Sequence, residues 1–369
     1  MNQSIISTFC CALLLVGCNR QPKNHGLKMD FSETIQIPLS DISDSTVFKL
    51  STVFTDIKRV PLEETPNSMI GYISQMEIAN NGDFIVFDQA NKVILRFDSC
   101  GNYLNAIGAR GHGPNEYTDP FYMSYDRFHD EILVTDHGKQ EIQFFDLSGK
   151  IVHKTKTPFY SCATQTLDEE HILYYRGYNN QEGFNFIIEK RNSTEYDYFD
   201  PLPENYHLDY LPDMVGTIIH GKNGEILCRP TFSSICYEIT GTKVKPKYQF
   251  VPESGDWVIG ESKDIDKLPH RKNNTRIEQM AFINDKLYMK CSGKDKNGAY
   301  FVNSYYNDLN GTVFSGKYHL NDVKGNGPIF GKILNTWGKR LYAVQGINAS
   351  DTKDNKATNP CVMILTVKD

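Results

Sequence analysis

Residues 81–88, Asn81-Gly82-Asp83-Phe84-Ile85-Val86-Phe87-Asp88, begin a stretch that returns 48 residues further along the chain. Each copy continues through a second apolar segment to a Phe-Asp-x-x-Gly turn, at residues 97–101 and again at 145–149. Three landmarks keep the same offset between the copies, and they are the pairs Asp88 and Asp136, Asp98 and Asp146, and Gly101 and Gly149. A fixed period of this length indicates a repeated supersecondary unit that buries its faces against its neighbours.

Four weaker copies of the unit follow. Each has an apolar strand entered from a turn and then a partner strand: 170–175 with 185–189, 223–228 with 234–239, 284–289 with 299–306, and 338–344 with 362–367. The strands are apolar on both faces, which is typical of sheets stacked between other sheets. No segment shows a sustained helical period, so the six units predict an all-β protein.

Four short strands per unit, set radially in a ring, form a β-propeller. The last unit ends after its third strand, at 362–367, whereas an unpaired strand candidate at 56–62 precedes the first unit. We therefore predict a six-bladed β-propeller whose last blade is completed by an N-terminal strand. An open solenoid would need capping units, and none is recognisable. The innermost strands should line a central channel near residues 70–78, 121–125, 160–165, 214–220, 276–282 and 328–334.

The N-terminus has the pattern of a bacterial lipoprotein signal. Residues 5–16 form a short apolar run, and Leu15-Val16-Gly17-Cys18 resembles a lipobox, in which the cysteine carries the lipid. Residues 1–9 hold no Lys or Arg, unlike most signal peptides, so a cleaved signal without lipid, or a buried N-terminal helix, is the alternative.

This pattern predicts three regions: a signal peptide at 1–17, a lipidated Cys18 with a polar tether at 18–45, and the propeller at 46–369. Two or more acyl chains anchor a protein stably. We expect a protein of the bacterial cell envelope, lipid-anchored in the outer membrane or facing the periplasm, whose contact with the membrane is through its lipid only.

Composition narrows the function classes. The net charge is −6 without a basic run, which argues against a nucleic-acid partner. No apolar run reaches the roughly 18 residues of a membrane span. Six cysteines remain after Cys18, and no two form a CxxC pair of the kind found in zinc or redox sites. Cys228 and Cys236 flank a turn and are either a disulfide or two buried thiols.

The chain resembles the six-bladed β-propeller lipoproteins abundant in Bacteroides-type bacteria, which are related in style to NHL-repeat propellers. The resemblance rests on Val60-Pro61-Leu62-Glu63, Ile70-Gly71, the Phe-Asp-x-x-Gly turns and Gly111-His112-Gly113-Pro114-Asn115-Glu116-Tyr117. The last segment is similar to a family G-x-G-P-G-E-Y motif, with Asn115 in place of the third glycine. The resemblance implies the architecture and the envelope location, and it implies no particular biochemical activity.

Ligands of propellers usually meet the channel mouth, which is formed by loops between blades and by turns between the two middle strands. The loop at 109–117 has two glycines that allow a partner close to the backbone. The alternative is that this loop only joins two blades. The candidate ligand-binding residues are Arg110, His112, Glu116, Tyr117, His137, Arg176 and Arg229.

We therefore expect a monomeric binding or interaction module, without a cofactor or catalytic residues, that takes a glycan, a peptide or an envelope protein at the propeller mouth. The alternative is a metal-dependent hydrolase or lyase of the NHL-propeller type. His112, His137 and His270 lie on loops of the plausible face, but they belong to different blades and to no paired ligand motif.

Overall fold

Six blades, each of four antiparallel strands, are arranged as a ring in the computed structural model, which confirms the predicted six-bladed β-propeller. The structure describes residues 24–39, 47–157, 160–177, 183–191, 193, 195–202, 218–221, 224–230, 233–252, 276–295, 298–316, 318–323, 330–345 and 359–368.

The strands of each blade run outward from the centre in chain order, except in blade 6. Blade 1 comprises β5 (Ile73–Ile78), β6 (Phe84–Asp88), β7 (Val93–Phe97) and β8 (Tyr103–Ala106). Blade 2 comprises β9 (Pro120–Asp126), β10 (Glu131–Asp136), β11 (Glu141–Phe145) and β12 (Ile151–Lys156). Blade 3 comprises β13 (Ala163–Thr166), β14 (His171–Tyr175), β15 (Phe184–Lys190) and β16 (Tyr196–Pro201).

Blade 4 comprises β17 (Ile218–His220), β18 (Ile226–Cys228), β19 (Ile235–Thr240) and β20 (Lys243–Pro252). Blade 5 comprises β21 (Arg276–Ile283), β22 (Lys286–Asp295), β23 (Gly298–Asn307) and β24 (Val313–Gly316). Blade 6 comprises β26 (Phe330–Trp337), β27 (Arg340–Gln345), β28 (Cys361–Val367) and the N-terminal β4 (Phe54–Pro61). The chain also forms β1 (Asn24–Gly26), β2 (Ile35–Leu39), β3 (Val47–Lys49), a 3₁₀ turn (Leu50–Thr52) and β25 (Tyr318–Leu320).

The N-terminal strand β4 closes the ring as its outermost strand in blade 6. It pairs antiparallel with β28, with Val60 opposite Val362 and Ile57 opposite Leu365. Strands from the two ends of the chain therefore share one sheet, and the predicted closure is confirmed.

The chain before β4 runs around the outside of the ring. Strand β1 pairs in parallel with β16 of blade 3, and β2 pairs in parallel with β20 of blade 4. Strand β3 then pairs with β25 next to blade 5. We call residues 24–39 and 47–49 the N-terminal belt. Two strands of the belt fall within the segment predicted as a polar tether at 18–45, because the open edges of outer strands offer unpaired backbone groups to a passing chain.

The core lies between the blades rather than within one layer. The cluster between blades 6 and 1 shows the pattern, because Phe84, Val86 and Leu95 of blade 1 pack there against Tyr342 and Ile364 of blade 6. Alternate residues of the same strands face the next blade, so Ile85 and Phe87 belong to the cluster between blades 1 and 2. This arrangement explains why the strands are apolar on both faces.

The two faces of the ring differ in the chain segments that form them. The mouth face carries the connections from one blade to the next, such as 107–119, and the turns between second and third strands, such as 137–140. The turn face carries the short turns between first and second strands, such as 79–83 and 338–339, and those between third and fourth strands, such as 98–102.

Within the described residues, the structure has no helix long and apolar enough to cross a membrane. Cys228 and Cys236 are buried free thiols.

Candidate functional site

The loop between blades 1 and 2 is held by its own backbone and by one carboxylate. The backbone N–H of Gly113 donates to Glu116 Oε2 at 2.7 Å, and the N–H of Gly111 donates to the carbonyl of Tyr117 at 2.9 Å. A Cβ atom on Gly111 would lie 2.0 Å from Glu116 Oε2, so the carboxylate occupies the space that a side chain would need. Glu116 therefore shapes this loop from within.

Two lysines of blade 2 donate hydrogen bonds to backbone carbonyl groups of the same loop. Lys139 Nζ donates to the carbonyl oxygen of Gly113 at 2.7 Å and also to that of Glu116. Lys154 Nζ donates to the carbonyl oxygen of Pro114 at 2.9 Å. These contacts favour the alternative that the loop joins blades 1 and 2.

Tyr117 is fully buried at the base of the loop. Its hydroxyl accepts a hydrogen bond from the Ile94 N–H at 3.4 Å, and its ring meets Phe145 edge-on. Burial raises the pKa of the Tyr117 phenol to about 12. Arg110 and His112, by contrast, are exposed on this loop, and neither side chain has a hydrogen bond or ion pair within the described part of the chain. The loop thus leaves these two side chains on the surface.

His137 lies at the centre of a three-ring stack on the mouth face. Its ring is stacked on Phe121, with centroids 4.1 Å apart, and is covered on the other side by Tyr160 at 4.4 Å. The Nε2–H donates to the carbonyl oxygen of Ser161 at 2.8 Å, and Nδ1 faces the Tyr160 hydroxyl at 3.4 Å. Burial lowers the pKa of the His137 imidazole, so the ring is neutral and Nδ1 accepts.

The stack brings together two blades and an ion pair. Phe121 and His137 belong to blade 2, while Tyr160, with 40% of its surface exposed, directly precedes the inner strand of blade 3. Beside the stack, Lys92 Nζ of blade 1 lies 3.1 Å from Asp119 Oδ1. Of these five residues, only His137 was a predicted ligand contact. The sequence signal for the others was their place near the mouth-face end of a strand: Asp119 and Tyr160 precede inner strands, Phe121 lies at the start of one, and Lys92 lies between two middle strands.

Arg176 and Arg229 follow second strands, as predicted, but both are buried. The guanidinium of Arg229 donates to the carbonyls of Ser233 at 3.0 Å and of Ile277, in blade 5, at 2.8 Å. Arg176 lies with its guanidinium carbon 5.8 Å from the centre of the Phe184 ring. Both side chains thus contribute to packing between and within blades. Cys18, the predicted lipid site, lies outside the described residues.

The repeated Asp88 and Asp136 have the same role in blades 1 and 2. Each buried carboxylate accepts hydrogen bonds from two N–H groups just before an inner strand. For Asp88 these are the N–H groups of Gly71 and Tyr72, both at 2.9 Å. For Asp136 they are those of Thr118 at 2.8 Å and Asp119 at 2.9 Å. These aspartates fix the mouth-face loops, which explains their constant offset.

The central channel holds a cavity of about 60 Å³, room for a few water molecules. Its lining mixes polar side chains, among them Gln75, Gln165 and Gln279, with apolar ones such as Met280. Two of the glutamines join blades, because Gln75 Oε1 accepts from the Met123 N–H and Gln279 Oε1 accepts from the Ile333 N–H.

Two ionisable side chains line the channel near the turn face. Burial raises the pKa of Glu77 to about 7, an effect that the nearby Arg127 charge partly opposes. Asn335 of blade 6 donates to Glu77 Oε2 at 2.9 Å. Burial, reinforced by Arg127, lowers the pKa of His220 to about 4. In the described chain, no three His, Cys, Asp or Glu side chains come together as a possible metal site.

Comparisons with known proteins agree with this architecture. A Bacteroides fragilis NCTC 9343 protein described as exported has a solved structure that superposes with a TM-score of 0.65 at 13% identity, covering 90% of this chain and 100% of its own. A member of the DUF4221 family from Bacteroides vulgatus ATCC 8482 superposes with a TM-score of 0.54 at 13% identity, covering 86% and 97%. At such identities the likeness concerns the fold alone. No curated protein matches the sequence.

A family model described as Domain of unknown function (DUF4934) matches residues 32–363, from the N-terminal belt to the last strand of blade 6. The match spans nearly all of the propeller, and this protein therefore belongs to the DUF4934 family.

Proposed function

We propose that this protein is an exported, lipid-anchored binding module that takes a peptide or glycan ligand on the mouth face of its propeller. The observation that carries the proposal is the ring stack of Phe121, His137 and Tyr160. It is a rigid aromatic surface, assembled from two blades at the entrance of the channel.

The chemistry of the stack suits recognition. Stacked rings present a flat apolar surface at little entropic cost, and the Tyr160 hydroxyl adds a polar contact. Aromatic residues are also enriched among those that dominate binding energy. The Lys92–Asp119 pair and the exposed Arg110 and His112 supply charges around this surface. A ligand with alternating rings and hydrogen-bonding groups would match both features.

The envelope location is supported by the lipobox-like Leu15–Cys18 and by the exported relative from Bacteroides fragilis. The N-terminal belt adds a geometric consequence. Only five residues separate Cys18 from β1, so the six residue steps from Cys18 to Asn24 span at most about 20 Å when the chain is extended. A lipid on Cys18 would therefore hold the outer edge of blade 3 close to the membrane.

The anchor is tested by Cys18→Ala. Fractionation of cells that express this variant should move the protein from the membrane to the soluble fraction, whereas Cys100→Ala, at an exposed cysteine of the turn face, should leave it in the membrane. Retention of the Cys18→Ala variant in the membrane would refute the lipid anchor.

The mouth-face ligand is tested by screening purified protein on peptide and glycan arrays, followed by titration of any hit. Tyr160→Ala and His137→Ala should each weaken binding at least about tenfold, as expected for central aromatic contacts. Phe128→Ala removes an aromatic side chain that is 51% exposed on the turn face and serves as the matched control. Binding that survives both mouth-face substitutions would place the ligand elsewhere.

The same preparation also tests the enzyme alternative. Elemental analysis that finds one divalent ion per chain, lost in His112→Ala or His137→Ala, would favour the metal-dependent hydrolase or lyase over a binding module.

A further inference from the structure

A second cleft lies on the turn face, between blades 6 and 1 and away from the mouth. Its volume is about 340 Å³, within the range of small-molecule sites, about 300–1,000 Å³. Its floor is apolar: Phe84 and Tyr342 meet edge-on with centroids 6.0 Å apart, and Ile364 is buried beside them. The cleft therefore has a firm base made by the packed faces of two blades.

One wall of the cleft is Trp337, which is 37% exposed. The guanidinium carbon of Arg127 lies 3.7 Å from the centre of the indole ring, and Arg127 also donates to the carbonyl oxygen of Ile78 at 3.0 Å. Arg127 itself does not line the cleft. The guanidinium thus holds the indole from the side away from the cleft and leaves a fixed aromatic surface towards it.

The rim of the cleft carries two positive charges. Lys58 and Arg340 both line the cleft and are exposed. Neither has a hydrogen bond or ion pair to any residue that the structure describes. Asp56 is the one acidic side chain in the described lining, so positive charge is in excess.

The register of blade 6 sets these groups side by side. On β28, Thr366 lies between Arg340 of β27 and Asp56 of β4. Two residues before Thr366 on the same strand, Ile364 lies opposite Lys58 of β4. Charged and hydroxyl groups therefore line one edge of the cleft, while the indole stands at its end.

Two other blade junctions hold an ion pair on the turn face. Between blades 1 and 2, Arg96 Nη2 lies 2.6 Å from Asp83 Oδ2, and its Nη1 donates to the Leu147 carbonyl at 2.7 Å. Between blades 2 and 3, Arg191 pairs with the buried Asp126. At the junction of blades 6 and 1, Lys58 and Arg340 have no partner among the described residues and lie beside an open cleft, so the contacts between the described blades do not account for them.

We propose that this cleft binds an anionic sugar, a pyranose ring that bears a carboxylate or a sulfate. The ring would stack on Trp337, as amphipathic rings do on aromatic faces. The anionic group would pair with Lys58 and with the planar fork of Arg340, which matches a carboxylate or sulfate in geometry. The site lies on the opposite face from the ring stack of Phe121, His137 and Tyr160 and is independent of it.

Tryptophan fluorescence provides a local test, because the chain has only two tryptophans, Trp257 and Trp337. In a Trp257→Phe variant, any change in tryptophan emission reports on the cleft alone. The probes are tetragalacturonate, a sulfated galactotetraose and a neutral galactotetraose, with inorganic sulfate as a control for the anion without a ring.

Either charged sugar, or both, should shift or quench the emission saturably, and the neutral sugar should bind at least about tenfold more weakly, since a charge-assisted pair is lost. The charged sugar that binds more tightly identifies the substituent. Raising the salt concentration should weaken this binding, because exposed charges are screened.

Substitutions then locate the anion. Arg340→Gln and Lys58→Gln should each weaken binding of the charged sugar about tenfold. The matched control is Arg59→Gln on the same strand, where the guanidinium bonds Gln345 instead of lining the cleft. Calorimetry with the wild-type chain and these variants repeats the comparison without the Trp257 substitution. Equal binding of charged and neutral sugars, an equal response to inorganic sulfate alone, or no response to any sugar would overturn the proposal.

Discussion

Two junctions of the ring, between blades 1 and 2 and between blades 6 and 1, share the same backbone contact. Gly149, in the Phe-Asp-x-x-Gly turn of blade 2, packs against the Ala106 carbonyl of blade 1. Gly101, in the same turn of blade 1, packs against the Pro61 carbonyl of blade 6. The second contact joins strands from opposite ends of the chain, yet it repeats the first. The ring therefore closes with the geometry of an ordinary junction.

The side chains of the two junctions differ. Between blades 1 and 2, an Arg96–Asp83 ion pair fills the turn-face gap, and the neutral Gln75 bonds across the channel side. Between blades 6 and 1 the gap is open, and the channel-side bond from Asn335 ends on the ionisable Glu77. The backbone of a repeat thus builds the scaffold, and departures from the repeat in side chains mark the places where function and pH dependence can arise.

The largest effect is expected from alanine at the two turn glycines. A Cβ atom would lie 2.2 Å from the Pro61 oxygen at Gly101 and 2.3 Å from the Ala106 oxygen at Gly149, and both residues have positive φ. We expect Gly101→Ala and Gly149→Ala each to lower the free energy of unfolding by about 3 kcal/mol or more, measured by urea denaturation.

Gly82→Ala is the control, since φ is +88° there and nothing lies within 4 Å of the added carbon. It should cost only about 1 kcal/mol. A small loss at Gly101 together with a large loss at Gly149 would show that the two junctions are not equivalent.

The next effect is the dependence of stability on pH, which comes from Glu77, at the junction of blades 6 and 1, and from His220 of blade 4. The pKa of Glu77 is about 7 in the folded protein against 4.5 ordinarily, so stability falls as pH rises from 4.5 to 7. The pKa of His220 is about 4 against 6.5, so its contribution rises from pH 4 to 6.5. In the wild-type chain these two changes of stability with pH oppose each other.

Glu77→Gln should remove the fall in stability between pH 4.5 and 7. Its stability should match that of the wild type below pH 4.5, rise towards pH 6.5, and exceed the wild type at pH 8 by about 3 kcal/mol. His220→Gln should show the reverse, a fall from pH 4.5 to 7. Denaturation curves at pH 4.5, 6 and 8 measure this difference in stability. Parallel pH profiles for Glu77→Gln and wild type would contradict the predicted contribution of Glu77.

A smaller effect is expected at the ion pair that fills the junction of blades 1 and 2. The side chains of Arg96 and Asp83 are only 18% and 11% exposed. Asp83→Asn leaves the guanidinium without its counter-charge and should destabilise the protein by about 1–3 kcal/mol. A double-mutant cycle with Arg96→Gln measures the coupling, and a coupling near zero would mean that the pair does not hold this junction.

The smallest effect completes the comparison. Arg340→Gln, at the open junction, should change stability by no more than about 0.5 kcal/mol, because the side chain is exposed and has no partner among the described residues. Thermal unfolding of Arg340→Gln beside Arg96→Gln shows whether one junction depends on its arginine and the other does not. A large loss in Arg340→Gln would assign that residue to the scaffold.

The blades could be predicted from the sequence because the pattern that marks each blade is local. The turn residues, the apolar strands and the offset of Asp88 to Asp136 all repeat within one unit, and the missing last strand pointed to residues 56–62. The N-terminal belt escaped prediction, because β1 has no apolar pattern and β2, although its apolar residues alternate, lies outside the repeat. Both strands pair only with edges that the rest of the chain provides.

The candidate sites, too, could be predicted only in part from the sequence. The loop at 109–117 could be recognised from its glycines, but the sequence did not show that Glu116 and Tyr117 turn inward while Arg110 and His112 remain exposed. Arg176 and Arg229 were correctly placed after second strands, and their burial depends on the neighbouring blade or strand that covers each guanidinium.

By itself the sequence determined the number of blades and the residues of the turns, since both depend on contacts between near neighbours in the chain. It also predicted how the ring closes, because the repeat left one strand missing from the last blade. Only the tertiary structure decided which polar side chains are paired and which remain exposed. Tyr160 meets His137 from the next blade, and Trp337 meets Arg127 from two blades away. Such contacts join distant residues through the curvature of the ring, which no local pattern records.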